Sequence, residues 1–191
     1  MKIIKEIMMP GLKMLLVWTV ICGVMYTLLL TGIGQLFFPS QANGSLVSAK
    51  SETGEKVVVS TLIGQAFTAN YYLWGRPDTG EAASQLAPNS AKEKARVAER
   101  VAKIKAADPD NKAAIPMELV TASASGVDPD ISTATAAYQV KRIAEARHLS
   151  VAKVEKIIQN NTSGVKFDKM GTKLVHVLPV NLALDQLAPM K

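Results

Sequence analysis

The chain has 191 residues, 48% of them hydrophobic, and 22 Lys+Arg against 16 Asp+Glu give it a formal net charge of +6. Only Lys2, Lys5, Glu6 and Lys13 among the charged residues precede position 50, so Met14 to Ala49 carries no charge, which no ordinary soluble surface tolerates. One cysteine and two histidines exclude a disulfide scaffold and argue against a zinc centre, and the charge past position 50 is too mixed to argue for nucleic acid.

Met14 to Phe38 (MLLVWTVICGVMYTLLLTGIGQLFF) is predominantly apolar. At 1.5 Å per residue it would span roughly 37 Å, against about 30 Å of bilayer hydrocarbon, so one tilted transmembrane helix is expected. Residues 1–13 form a short basic N-terminus, and flanks rich in Lys and Arg stay in the cytoplasm. Residues 39–191 are therefore expected outside the cytoplasm as a single domain. A cleaved signal peptide is the rival, because Ser40 and Ala42 form a small-x-small pair. The apolar run is, however, longer than the about 7 to 15 residues of a signal core, which favours retention. Cys22 falls in mid-helix behind Ile21, the wrong context for lipid attachment.

Thr19, Gly23, Thr27, Thr31 and Gln35 recur at i, i+4 along that helix. Small and polar residues in a row let a second helix approach closely and exchange hydrogen bonds, so they are candidate partner-interface residues. The bland alternative is that each Thr hydroxyl bonds back to its own helix.

Pro39 to Ser45 reads as a turn at the membrane exit. Val57–Ile63 (VVVSTLI) and Tyr71–Trp74 (YYLW), each closed by Gly, predict short strands, and 79–90 predicts a loop. Ala91–Ala107 predicts a helix capped by Ser90, with Val97, Val101 and Ile104 inward. Its remaining surface carries Lys92, Lys94, Arg96, Arg100, Lys103 and Lys105 against Glu93 and Glu99, which reads as a solvated face or a surface for anionic headgroups or an acidic partner. Ile115–Val120 predicts a strand, and Thr121–Gly126 is small enough in side chain to admit another backbone or a ligand. A helix capped by Asp130 or Ser132 should run to about His148, and a second, capped by Ser150, should end before Gly164. Leu174–Val180 predicts a strand, and Asn181–Leu187 a turn or short helix. The fold class expected is α+β.

Chemistry is sparse. Ser123 and Ser125 sit near Gly126 without the Gly-x-Ser-x-Gly context of a nucleophile elbow, and His148 and His176 are isolated. No phosphate-cradling Gly-x-x-x-x-Gly-Lys-Ser/Thr occurs. Asp128-Pro-Asp130-Ile-Ser132 lacks the glycine and distal glutamate of a calcium loop, so it reads as turn plus cap. No catalytic residue, metal site or tightly bound cofactor is expected. A surface-anchored hydrolase using Ser123 or Ser125, and an envelope-binding module using the 92–105 helix, are the alternatives from other classes.

Several blocks, Pro39-Ser-Gln-Ala-Asn-Gly-Ser45, Leu62-Ile-Gly64-Gln-Ala-Phe67, Tyr72-Leu-Trp74-Gly-Arg76-Pro77, Val180-Asn-Leu-Ala-Leu-Asp185 and above all Glu118 to Ser132, together resemble the KdpC family. These are the C subunits of the bacterial Kdp potassium-transporting P-type ATPase. The resemblance implies a non-catalytic accessory subunit of a high-affinity, ATP-driven potassium uptake complex. Its partners would be a channel-like potassium-binding subunit, a P-type ATPase subunit and a small single-helix subunit. The resemblance also implies a catalytic chaperone that raises the ATP affinity of the ATPase subunit, with a nucleotide contact at the position of Gln139. The charge bias of the N-terminus, in contrast, puts Gln139 on the side away from cytoplasmic ATP. The expectation is therefore a cell-membrane, single-pass protein whose effect on ATP travels through the assembled complex.

Overall fold

The computed structural model describes residues 6, 8–50, 56–78, 80, 83–164 and 171–190. Lys2 and Lys5 of the basic flank, and Thr79, Glu81 and Ala82 of the expected loop, lie outside these. The chain divides into two compact units, one up to Leu46 and one from Val47 onward.

The first unit is the apolar helix. α1 (Met9–Trp18), a π-helical stretch (Thr19–Met25) and α2 (Tyr26–Phe37) run on as one 29-residue helix of mean hydropathy 2.1, with none of it buried. It begins ahead of the expected Met14, with Pro10 in the first turn, where a missing N–H costs nothing. In an α-helix a residue four ahead overshoots the 3.6-residue turn. The wider i→i+5 turn at Thr19–Met25 contains the Thr19–Gly23 end of the small-residue row. Beyond Phe38, Pro39 opens a single helical turn, α3 (Pro39–Ala42), and Gly44 leaves it at φ 86, a left-handed value suited to glycine. The side-chain amides of Gln35 and Asn43 pair, at 3.0 Å and 3.3 Å, and tie this exit turn to the helix end.

The second unit mixes helices with two small sheets, the α+β class expected. β1 (Leu46–Lys50) pairs with β2 (Lys56–Ser60). After an irregular stretch come α4 (Ala91–Ala107), a 3-10 turn (Met117–Leu119), β3 (Asp130–Ser132), α5 (Thr133–Ala146), α6 (Val151–Asn160), β4 (Thr162–Ser163), β5 (Leu174–His176) and α7 (Val177–Leu187). The second sheet is antiparallel with order β3-β5-β4. Ile131 and Thr162 both register with Val175. Ser90 caps α4 by accepting from Glu93 N–H, and Ser132, not Asp130, caps α5 by accepting from Thr135 N–H.

Two apolar clusters fill the unit. Leu73, Ile131, Ile143, Val154, Val175 and Leu184 lie in the larger, and Tyr72, Trp74, Ile104, Leu119 and Val120 in the smaller. Tyr72, Leu73 and Trp74 thus alternate between the two.

Several expectations are corrected. Tyr71–Trp74 alternates as a strand would but joins no ladder. Ile115–Val120 is no strand, because Pro116 leads into a 3-10 turn. The Val57–Ile63 strand stops at Ser60 and has as its partner β1, which went unforeseen. The strand expected over Leu174–Val180 is only Leu174–His176, and α7 takes over at Val177 because Pro179 fits the first helical turn. Between the end of α6 and Gly164 lies β4.

Candidate functional site

The segment Asn70–Trp74 crosses the core without strand neighbours, so its backbone polar groups need other partners. Side chains supply them. Asn181 Oδ1 accepts from Leu73 N–H at 2.8 Å, and its Nδ2 donates to Leu73 O at 2.9 Å. Gln139 does the same one residue on, accepting from Trp74 N–H at 2.9 Å and donating to Trp74 O at 3.0 Å. Arg142 donates to the carbonyls of Asn70 and Tyr72, and Arg147 Nε donates to that of Tyr71. Two amides and two guanidiniums from α5, α7 and the α5 C-terminus thereby replace the two absent strands.

Both arginines are buried. The Arg142 guanidinium lies 4.3 Å from the Trp74 ring and donates to Gln139 Oε1 at 2.7 Å. Burial pulls its pKa down to about 10, against the opposing pull of Asp108 and Tyr138, so it is still a cation at neutral pH. Arg147 forms an ion pair with Asp185 at 2.7 Å and also donates to Ala188 O. The Tyr72 hydroxyl donates to the second Asp185 oxygen at 2.8 Å, and burial followed by this bond pushes its pKa well above the phenol range.

This clamp sets the backbone that leads to Gly75 and Arg76. Arg76 Nη2 donates to Thr121 O at 3.3 Å and Ala122 O at 3.1 Å, and Nη1 lies 3.6 Å from Asp128. The small-residue loop is thus held by a guanidinium. Gly64 also meets this loop, where its N–H donates to Val127 O at 2.8 Å, and a Cβ on Gly64 would stand 2.6 Å from Asp128 O. At the base of the loop, Glu118 Oε2 accepts from Ser132 N–H, Ser132 Oγ and Thr135 Oγ1. Burial raises the Glu118 pKa, but those hydrogen bonds and the Arg76 charge outweigh it and hold the carboxyl below its ordinary value. The resemblance blocks 62–67, 72–77 and 118–132 therefore meet around Arg76.

Beside them opens a cleft of about 420 Å³ between the 65–68 and 74–78 segments and α4. Arg96, Arg100 and Lys103, at i, i+4, i+7 on α4, line it with Asp78 and Glu99, over a floor that includes Ile104 and Leu119. Arg100 is fixed by Val120 O at 2.8 Å, and Lys103 Nζ lies 5.5 Å from the Trp74 ring. So this part of the basic surface of α4 faces a concavity.

Gln139, the residue with an implied nucleotide contact, is 2% exposed. Its Oε1 accepts from Trp74 N–H and Arg142, and its Nε2 donates to Trp74 O and Thr135 O, which fills the amide's capacity. On the apolar helix Thr19, Gly23, Thr27, Thr31 and Gln35 are all exposed, but the Thr27 hydroxyl donates to Cys22 O at 3.4 Å and the Gln35 amide is engaged by Asn43. The Ser123 and Ser125 hydroxyls bond each other at 3.0 Å and accept from Gly126 N–H and Val127 N–H. His176 pairs with Asp130 across β3–β5, and His148 sits at φ 56 just past α5. Among the described residues no three His, Cys, Asp or Glu side chains converge as metal ligands would.

Arg142, Arg147 and Asn181 went unrecognised from sequence. A trace was present: Thr135, Gln139 and Arg142 follow i, i+4, i+7 and form a polar line beside the apolar Ala136, Val140 and Ile143.

A family model described as "K+-transporting ATPase, c chain" matches residues 8–186. The "Potassium-transporting ATPase KdpC subunit" of Methylococcus capsulatus is 46% identical over 187 residues, covering 93% of this chain and 96% of the relative. Proteins of the same description from Clostridium botulinum (43% identical, 97% of this chain and 98% of the relative) and Listeria welshimeri (45%, 98% and 99%) are similar to it throughout.

Proposed function

The chain belongs to the KdpC family, the c chains of potassium-transporting ATPases, and on that premise we propose that it is a single-pass, non-catalytic accessory subunit of the ATP-driven potassium uptake complex. Its apolar helix anchors it and offers the Thr19–Gly23–Thr27–Thr31 row to a helix of another subunit. The domain from Val47 onward lies outside the cytoplasm, in keeping with the basic N-terminus. Its partners are a channel-like potassium-binding subunit, a P-type ATPase subunit and a small single-helix subunit. It raises the ATP affinity of the ATPase subunit as a catalytic chaperone.

The observation that carries the mechanism is the engagement of Gln139. An amide that holds both backbone groups of Trp74 has nothing left to offer a nucleotide. Gln139 therefore acts on ATP affinity by positioning Trp74 and the segment leading to Arg76, and ATP binds only to the ATPase subunit. Reconstitution of the other subunits with and without this chain tests the reading. The chain is expected to lower KM for ATP in potassium-stimulated hydrolysis while kcat changes little, and identical KM values in both preparations would sink it. For the topology, Gln159→Cys in a Cys22→Ser background should react with an impermeant thiol reagent on intact cells. Labelling only after the membrane is opened would reverse the orientation.

A further inference from the structure

We infer that the cleft between α4 and the 74–78 segment is a docking site for a carboxylate-bearing segment of a partner subunit, an inference that rests on the reading of the chain as a subunit of the potassium-transporting complex. Arg96, Arg100 and Lys103 converge on the cavity from one helix face. Arg100 is already fixed by Val120 O and Glu93, whereas Arg96 and Lys103 pair with no carboxylate among the described residues. The floor of Phe67, Ile104 and Leu119 lowers the local dielectric, so an anion seated there is attracted more strongly than on an open surface. The volume of about 420 Å³ suits a few side chains.

The rim decides between a peptide and a membrane. Asp78 and Glu99 share the opening with the bases, and they repel a uniformly anionic bilayer face. A protein segment that alternates acidic with basic or neutral residues can match both signs. The cleft is also concave, so a projecting Asp or Glu reaches Arg96 and Lys103 where a flat array of headgroups meets mainly the rim.

The test uses the whole complex, purified through a tag on a larger subunit and washed with NaCl between about 0.05 and 0.5 M. The double variant Arg96→Glu/Lys103→Glu should cut the retained fraction of this chain at low salt about tenfold, corresponding to about 1.4 kcal/mol, and flatten its dependence on salt, because the attraction that salt screens is gone. Arg96→Lys/Lys103→Arg should restore retention, and Lys94→Glu, outside the cleft on the same helix, should leave it as in wild type. A thermal melt of the double variant close to that of wild type separates lost docking from lost folding. Retention and salt dependence equal to wild type, in a preparation where the wild-type chain co-purifies, would overturn the proposal. A wild-type chain that does not co-purify would instead overturn the parent reading. Repeating the wash in nanodiscs of phosphatidylcholine alone and with phosphatidylglycerol identifies the occupant: the same defect in both supports a peptide, and a defect confined to phosphatidylglycerol assigns the cleft to lipid and overturns the peptide assignment.

Discussion

The carboxamide of Asn181 grips both backbone groups of Leu73, 108 positions away in sequence, as a neighbouring strand would: it accepts from the N–H at 2.8 Å and donates to the carbonyl at 2.9 Å. Both residues are fully buried, so water has no access if the grip is lost. Asn181→Leu removes the amide and leaves two orphaned backbone groups, each costing about 1–3 kcal/mol. A loss of about 2–5 kcal/mol is expected in urea unfolding of the detergent-solubilised chain. Asn181→Asp, which keeps the acceptor and loses the donor, should also destabilise.

Gln139 repeats the arrangement at Trp74 but also joins Arg142. Gln139→Leu is expected to destabilise the domain by about 3 kcal/mol or more, because Trp74 N–H, Trp74 O and one Arg142 donor all lose a partner. In the assembled complex the same variant should raise KM for ATP and spare kcat. If Trp74 fluorescence and stability stayed as in wild type while KM rose, Gln139 would be touching the nucleotide after all.

Glu118 makes the domain acid-sensitive. Its folded pKa lies below the ordinary value of 4.5, so ionised Glu118 stabilises the fold above that pH. The contribution disappears as pH falls from about 4.5 through the lower folded value. Glu118→Gln should therefore lower Tm at pH 7 and leave a flatter decline of Tm on acidification. A variant with an acid limb as steep as wild type would contradict this assignment.

At Gly64 the limit is steric. A methyl group there would stand 2.6 Å from Asp128 O, which is backbone and cannot rotate away. Gly64→Ala is expected to cost about 1–3 kcal/mol by overpacking and to displace the 126–128 loop from Arg76. Gly75→Ala is the control, since its added Cβ would meet Val177 at an ordinary 3.6 Å. Equal melting temperatures for the two variants would refute the close-approach argument.

In the apolar helix, Gly23→Leu should weaken co-purification with the membrane partners without changing membrane insertion, because it fills the approach surface of the small-residue row. Val24→Leu, alongside but off the row, should have little effect. Equal retention of both variants on a tagged partner subunit would remove the row from the interface.

The helices α4, α5 and α6 were legible because each carries its own local signals, whereas the first turn of α7 was read as strand. Ser90 and Ser132 announce α4 and α5, and the Val154–Ile158 spacing gives α6 its inward face. Tyr71–Trp74 was half legible: the alternation of Tyr72, Leu73 and Trp74 between two apolar clusters is what a strand pattern encodes, but the pattern is silent about what satisfies the backbone. That answer lies in polar residues far away in sequence, at Gln139, Arg142, Arg147 and Asn181. Arg96 and Lys103 show the same limit. Sequence places them on the polar side of α4, and only the 65–78 segments packed alongside turn part of that side into a cleft.

What the sequence determined by itself was the apolar N-terminal helix, the α+β class of the following domain and the family, because these depend on local hydrophobic spacing, capping residues and contiguous blocks. What only the tertiary structure decided was the work of individual polar side chains. Gln139 holds Trp74, Asn181 holds Leu73 and Arg76 holds the 121–128 loop. Local sequence cannot assign such roles, since a buried amide or guanidinium is stabilised by whichever unpaired backbone group folding brings to it, at any distance along the chain.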